Sequence, residues 1–251
     1  MTIKVGVLGA AGRMGRAVCA AVEGDPETEL AVRVDRVAGD GIETSLDAVT
    51  RAGAEVVVDF TVHEAALANL HWCAANGVHA VVGTTGFSAE EIADLSARFD
   101  ASTANAVIAP NFAIGAVLLM HLAAIAAPWF ETGEIIELHH DKKVDAPSGT
   151  AMLTAQRMAE ASSEWGSDPT TKTVVDGARG GVGPGGIHMH AVRMRGMVAH
   201  EEVILGTTGQ TLTIRHDSYD RTSFMPGVLL AVKQVADRPG LTTSLDPLLG
   251  I

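Results

Sequence analysis

The apolar run Ile3 to Leu8 leads directly into three glycines spaced three apart, Gly9, Gly12 and Gly15. No other feature narrows the possible folds as much. A short β-branched run without polar alternation is the pattern of a parallel strand buried on both faces. Arg16 to Glu23 then has the composition of a helix. A strand, a glycine turn and a helix form the dinucleotide-binding arrangement, in which glycines permit the tight turn, the backbone's approach to a pyrophosphate and close helix–strand packing. The first gap is one residue wider than the commonest form, and any α/β protein can carry a glycine-rich turn, so the residues that follow have to decide.

They extend the same pattern. Leu30 to Val34 reads as a second strand and ends in Asp35-Arg36, where an acidic side chain accepts hydrogen bonds from ribose hydroxyls. Arg36 would instead meet a 2′-phosphate, which Asp35 repels, so the pair leaves NADH and NADPH both open. Strand-like runs Glu55 to Phe60, His79 to Gly83 and Ala104 to Ala109 alternate with helix-like runs His63 to Asn76 and Ser88 to Phe99. The alternation predicts an α/β fold with a Rossmann-like, doubly wound parallel sheet, whose ligands sit beyond the carboxyl ends of the strands. Those ends read Asp59-Phe60-Thr61, Gly83-Thr84-Thr85-Gly86 and Ala109-Pro110-Asn111-Phe112. Their small and hydroxyl residues suit a flat nicotinamide ring.

After Pro110 the pattern changes. An apolar helix, Ile114 to Ala127, precedes a strand, Glu134 to Leu138. A helix follows over Ala151 to Ala161, then a mobile glycine-rich loop, Gly177 to Gly186, carrying Arg179. Three strands come without helices between them, Ile187 to Arg193, Glu201 to Gly206 and Thr211 to His216, the last two joined by a hairpin turn at Thr207-Thr208-Gly209. This is an α+β region with a mixed sheet. A final helix, Ser223 to Ala236, is expected to return to the first domain. The chain thus divides into a discontinuous dinucleotide-binding domain, residues 1–110 and 217–251, and a substrate-binding and oligomerisation domain, residues 111–216.

The chemistry is expected where the second region's first strand ends. His139 and His140 are followed by Lys142, Lys143 and the turn Asp145-Ala146-Pro147-Ser148-Gly149-Thr150. Pro147 ends any preceding regular structure, and Ser148 to Thr150 offer the open N–H groups of a helix start, which bind carboxylates. Neighbouring residues of a strand face opposite ways, so both imidazoles reach one pocket only if the strand stops between them. A lysine ammonium titrates near ~10.4 in water and stays protonated beside an anion, while imidazole exchanges protons near neutrality. The loop suits a small anionic substrate that has to be protonated.

Composition sets the limits. The net charge of -12 argues against nucleic acid or an anionic membrane as partner. Cys19 and Cys73 fall in helix-like stretches, which argues against a disulfide framework and for a reducing cytoplasm. The N-terminus leaves no room for a signal peptide. The apolar tract Phe112 to Phe130 is broken by Gly115, His121 and Pro128 and reads as a buried helix rather than a membrane span. His188 and His190 share a strand face but lack a partner at ligand spacing, so no metal is expected. Arg215-His216-Asp217 reads as a polar network.

His139-His140, Lys143 and Asp145 to Ala151 resemble the signature of the dihydrodipicolinate (4-hydroxy-tetrahydrodipicolinate) reductases of lysine and diaminopimelate biosynthesis. The likeness extends over Gly9 to Gly15, Val82 to Phe87, Ala109 to Phe112, Gly206 to Asp217 and Arg221 to Phe224. It implies NADH- or NADPH-dependent reduction of a cyclic imine dicarboxylate after loss of water. It also implies His139 as proton donor and acceptor, Lys143 as proton donor, and His140, Gly149 and Thr150 as holders of a substrate carboxylate. The coenzyme would be bound by Gly9, Ala10, Ala11, Gly12, Arg13, Met14 and Asp35, by Gly83, Thr84 and Thr85, and by Ala109, Pro110, Asn111 and Phe112, with Arg36 beside Asp35. A cytoplasmic homotetramer, joined through the second domain's sheet, is implied as well. Rival readings are a sugar- or polyol-type dehydrogenase, which has no need of the Pro147 to Thr150 turn, and a redox-sensing regulator, for which the acidic chain offers no basic helix. A thiol-dependent semialdehyde dehydrogenase is disfavoured by the placement of both cysteines in helices.

Overall fold

The computed structural model describes residues 2–251. In chain order the elements are β1 (Ile3–Leu8), α1 (Arg13–Gly24), β2 (Thr28–Val34), α2 (Asp47–Arg51), β3 (Val56–Asp59), α3 (His63–Asn76), β4 (His79–Val82), α4 (Ala89–Asp100) and β5 (Ala106–Ile108). Then come α5 (Ile114–Ala126), β6 (Thr132–His139), α6 (Gly149–Ala161), β7 (Gly181–Val182), β8 (His188–Arg193), β9 (Ala199–Thr207), β10 (Gln210–Ser218), α7 (Met225–Gln234), β11 (Leu241–Thr242) and α8 (Asp246–Leu249). Two compact units result, Met1–Ile114 with Arg221–Ile251, and Gly115–Asp220.

The first unit holds a six-stranded parallel sheet in the order β11-β5-β4-β3-β1-β2. Strand order reverses between β1 and β3, and a ligand crevice opens at such a switch point. Strand β3, Val-Val-Val-Asp, is buried throughout, as a central strand covered on both faces must be. Helix α1 buries Gly15, Val18, Cys19 and Val22, the i, i+3, i+4, i+7 stripe of a helix lying on a sheet. Helix α4 begins with a reciprocal cap, Ser88 Oγ accepting from Glu91 N–H while the Glu91 carboxylate accepts from Ser88 N–H. Helix α3 ends on Gly77 in the left-handed conformation.

The second unit holds a five-stranded mixed sheet in the order β10-β9-β6-β8-β7, with β6 and β8 parallel and the other pairs antiparallel. Helix α6 buries Ala151, Thr154, Ala155 and Met158. The sheet face of odd-numbered β6 residues is apolar at Ile135, Val203 and Leu205, all fully buried.

Several elements differ from the sequence reading. Helix α1 starts at Arg13, one turn early, because the backbone turn is complete at Gly12, its N-cap. The Gly177 to Gly186 loop is built into the sheet rather than loose: Gly181 and Val182 pair with β8, and the Arg179 guanidinium bonds Glu134 at 2.7 Å. The run Ser223 to Ala236 is α-helical only over α7, with 3-10 turns at both ends. Strands β7 and β11 and helices α2 and α8 are too short for periodicity to reveal. Among the described residues no helix is long and apolar enough to cross a membrane.

Candidate active site

In the first unit the carboxyl ends of the parallel strands form a shelf of backbone. Gly9 sits at φ +71°, and a Cβ there would lie 2.9 Å from Thr61 Cγ2. A Cβ on Gly15 would lie 2.1 Å from Gly9 O, so only glycine lets α1 start this close to β1. Gly12 is exposed on the open side of the turn, where bare backbone can meet a phosphate. Asp35 accepts the Ala11 N–H at 3.0 Å, bracing the turn from the end of β2 with lone pairs still available for ribose hydroxyls. Arg13 and Arg36 are exposed.

The neighbouring strand ends lock together. Gly83 faces the Phe60 ring, where a Cβ would fall 1.9 Å from Cε1, and Phe60 meets Phe112 edge-on at 5.7 Å. Thr84 Oγ1 donates to Thr61 O at 3.0 Å. Asp59 is buried beneath and accepts from Thr61 N–H at 2.7 Å and Asn69 Nδ2 at 2.7 Å; burial raises its pKa against those two donors. Thr85 and Pro110 stay exposed, and Asn111 Oδ1 accepts from Ala113 N–H at 2.8 Å. The glycine cradle and the acceptor at Asp35 fit a dinucleotide.

In the second unit the ionisable cluster is assembled by register. Strand β6 ends at His139, so the two histidines lie on either side of a strand end. Glu137 and His139 share the buried face of β6, and the His139 Nδ1–H donates to Glu137 Oε2 at 2.6 Å. Parallel pairing sets Arg193 opposite His139, and its guanidinium grips both Glu137 oxygens at 2.7 Å. Ser148 N–H completes the set, donating to Glu137 Oε1 at 3.0 Å, while Ser148 Oγ caps α6 by accepting from Ala151 N–H at 3.2 Å. One fully buried carboxylate therefore fixes an imidazole, a guanidinium and the start of a helix.

Burial alone would push the Glu137 pKa up, but Arg193 and His139 outweigh it and hold the carboxyl below its ordinary value. Burial pulls His139 below the ordinary imidazole value, Glu137 pulls it up, and nearby Lys143 and Arg193 add to the depression. Lys143 is half-buried and pairs with Asp145 at 2.8 Å, whereas Lys142 is exposed and its N–H donates to His140 Nδ1 at 3.2 Å. Gly149 is the exposed first residue of α6, and Thr150 follows it.

Sequence alone assigns no role to Glu137 or Arg193. A glutamate two residues before a histidine on one strand was the available signal, whereas the pairing of β8 with β6 leaves no trace in the sequence. His188 and His190 lie on the other face, bonded to Asp168 at 3.3 Å and Glu134 at 2.7 Å, beside a cavity of 510 Å³ lined by Glu134, Trp165, Asp168 and Arg179. Arg215 and His200 both bond Asp217 at the end of β10.

A parallel sheet with a glycine-cradled switch point, together with a buried imidazole–carboxylate pair beside a helix start, defines a nicotinamide-dependent oxidoreductase. Comparison with known proteins gives the particular kind. Residues 3–112 match the model for the N-terminus of dihydrodipicolinate reductase and residues 115–249 the model for its C-terminus. The 4-hydroxy-tetrahydrodipicolinate reductases of Nocardia farcinica and Corynebacterium aurimucosum are 53% and 52% identical over 255 residues, each covering 100% of both chains. A solved structure of dipicolinate-bound dihydrodipicolinate reductase from Paenisporosarcina sp. TG-14 superposes with a TM-score of 0.90 at 36% identity, over 98% of this chain and 99% of that one. The chain belongs to the dihydrodipicolinate reductase family, whose reaction is the NAD(P)H-dependent reduction of 4-hydroxy-tetrahydrodipicolinate in lysine and diaminopimelate biosynthesis.

Proposed function

We propose that this chain carries out that reduction with His139 and Lys143 as its proton-handling groups. The reading rests above all on Glu137, whose carboxylate orients His139 and the start of α6 at once. Reduced nicotinamide, when bound, supplies a hydride. Gly9 to Met14 would hold its pyrophosphate, Asp35 with Arg36 its ribose end, and Gly83 to Thr85 with Ala109 to Phe112 its ring.

The other half of the chemistry belongs to the second unit. Because Nδ1–H is committed to Glu137, Nε2 is the His139 nitrogen that exchanges a proton. With its pKa depressed, His139 is a neutral acceptor in the free protein at neutral pH, and a dicarboxylate arriving beside it favours the charged ring. Lys143, half-buried and the lysine whose charge acts on His139, is the proton donor, whereas Lys142 is exposed. His140 and the Gly149-Thr150 turn hold a substrate carboxylate through a cationic edge and open N–H groups at the start of α6. The first unit serves as the coenzyme domain, the second as substrate and assembly domain. The outer face of its sheet, with Ile136, Leu138, Val192 and Ile204 only half-buried, suits a homotetramer joined there. The compartment is the cytoplasm, which the buried, unbridged Cys19 and Cys73 suit.

Purified protein mixed with enzymatically generated hydroxy-tetrahydrodipicolinate should oxidise NADH or NADPH, followed by absorbance, and dipicolinate should inhibit. Coenzyme that stays reduced with both would end this reading.

A further inference from the structure

Strand β9 carries a second buried carboxyl, Glu201, only 6% exposed. Antiparallel register sets it directly across from Glu137 on β6 and His216 on β10, so all three side chains share one face of the sheet. Neither neighbour supplies a positive charge. Both terminal nitrogens of Arg193 are turned to Glu137, and burial holds His216 below its usual value, neutral at neutral pH. From α6 the uncharged Thr154 hydroxyl faces the Glu201 carboxyl, and Glu201 Oε1 has no hydrogen-bond partner among the described residues. An ionised Glu201 would be a second buried anion beside Glu137 without a cation of its own, an arrangement that drives a carboxyl to keep its proton.

The hydrogen-bond directions agree. Thr154 Oγ1 lies 3.1 Å from Thr150 O, and a carbonyl can only accept, so the single hydroxyl proton points to Thr150. Toward Glu201, Thr154 is left as an acceptor, and the proton between them belongs to the carboxyl. We propose that Glu201 is a positioning residue that acts as a neutral acid: its O–H donates to Thr154, Thr154 donates to Thr150 O, and the relay fixes the first turn of α6 where a substrate carboxylate binds. This rests on the substrate site assigned above. Burial, the largest influence, and the Glu137 charge push the Glu201 carboxyl up to about 7, while the Thr154 contact works the other way. Ionisation at higher pH would break the relay and loosen the turn.

The test compares full-length wild type with Glu201→Gln, which keeps the shape and a donor without ionising, and with Glu201→Ala. Between pH ~4.5 and ~7 the folded carboxyl keeps a proton that the unfolded chain has released. Wild-type stability therefore falls relative to Glu201→Gln as pH rises through that window, and the gap is constant above it. Infrared difference spectra at pH 6 should show a protonated-acid carbonyl band in wild type that Glu201→Gln lacks. In steady state Glu201→Ala should raise KM for the dicarboxylate roughly tenfold with a smaller change in kcat, the weight of about one hydrogen bond. Glu201→Gln should restore that KM and flatten its alkaline rise. A wild-type spectrum without the band, or a wild-type unfolding midpoint that tracks Glu201→Gln at every pH, overturns the proposal. Should Glu201→Gln not fold, Thr154→Val takes its place: removing the acceptor should shift the midpoint at which the acid band disappears, and an unmoved midpoint is equally fatal. If wild type shows no turnover at all, the assigned reaction fails, while the spectra and unfolding curves still decide the protonation of Glu201.

Discussion

The two strand-to-helix turns do opposite things with the same geometry. At β1–α1 the site is made of absence: Gly9, Gly12 and Gly15 remove side chains so that backbone can approach a ligand. At β6–α6 the helix start is held by side chains, with Glu137 accepting four hydrogen bonds, from His139, Ser148 and the two terminal nitrogens of Arg193. The first turn has no buried charge to balance and depends on a few ångströms of clearance. The second is electrostatic, and each member is conditioned by another. Steric sites should therefore fail through lost space, and electrostatic ones through lost partners and with a change in pH behaviour.

The largest expected effect is in the electrostatic turn. Lys143→Ala should slow turnover by ~10²–10⁴, equivalent to roughly 3–5 kcal/mol of barrier. An unchanged kcat with only a higher KM would reduce Lys143 to a binding group. Next comes Glu137→Gln, which leaves Arg193 without its anion. Breaking a buried pair in this way should cost ~3–5 kcal/mol of unfolding free energy, measured by denaturant titration. The same variant should lower the His139 midpoint in an NMR titration still further below ~6.5, because the carboxylate that favours the charged ring is gone. A midpoint that rises would break the contrast between the two turns.

In the steric turn, Gly15→Ala puts a Cβ 2.1 Å from Gly9 O and should cost ~1–3 kcal/mol of stability. It should also weaken coenzyme binding, read by fluorescence titration, at every pH alike. A pH-dependent loss there would show that charge matters at both turns. The smallest effect is expected at a helix start remote from chemistry: Ser88→Ala removes the α4 cap and should lower stability by ~1 kcal/mol in thermal unfolding, with turnover unaffected.

The sequence alone determined whatever depends on neighbours along the chain. The order of the longer strands and helices, the glycine turn and the Ser148 helix start follow from periodicity, backbone sterics and capping over a few residues. So does the placing of His139 on one side of a strand end. Strand alternation implies that Glu137 and His139 share a face, a signal the sequence reading left unused, and nothing local said that the face was buried. Only the tertiary structure brought β8 and β9 to either side of β6, which placed Arg193 against Glu137 and set Glu201 beside the same carboxylate. Register between strands tens of residues apart is settled by burial of a whole sheet face, a sum over the entire unit that no window of sequence contains. The chemistry of this protein was legible as a set of residues, and their protonation states became legible only once the sheet had chosen their neighbours.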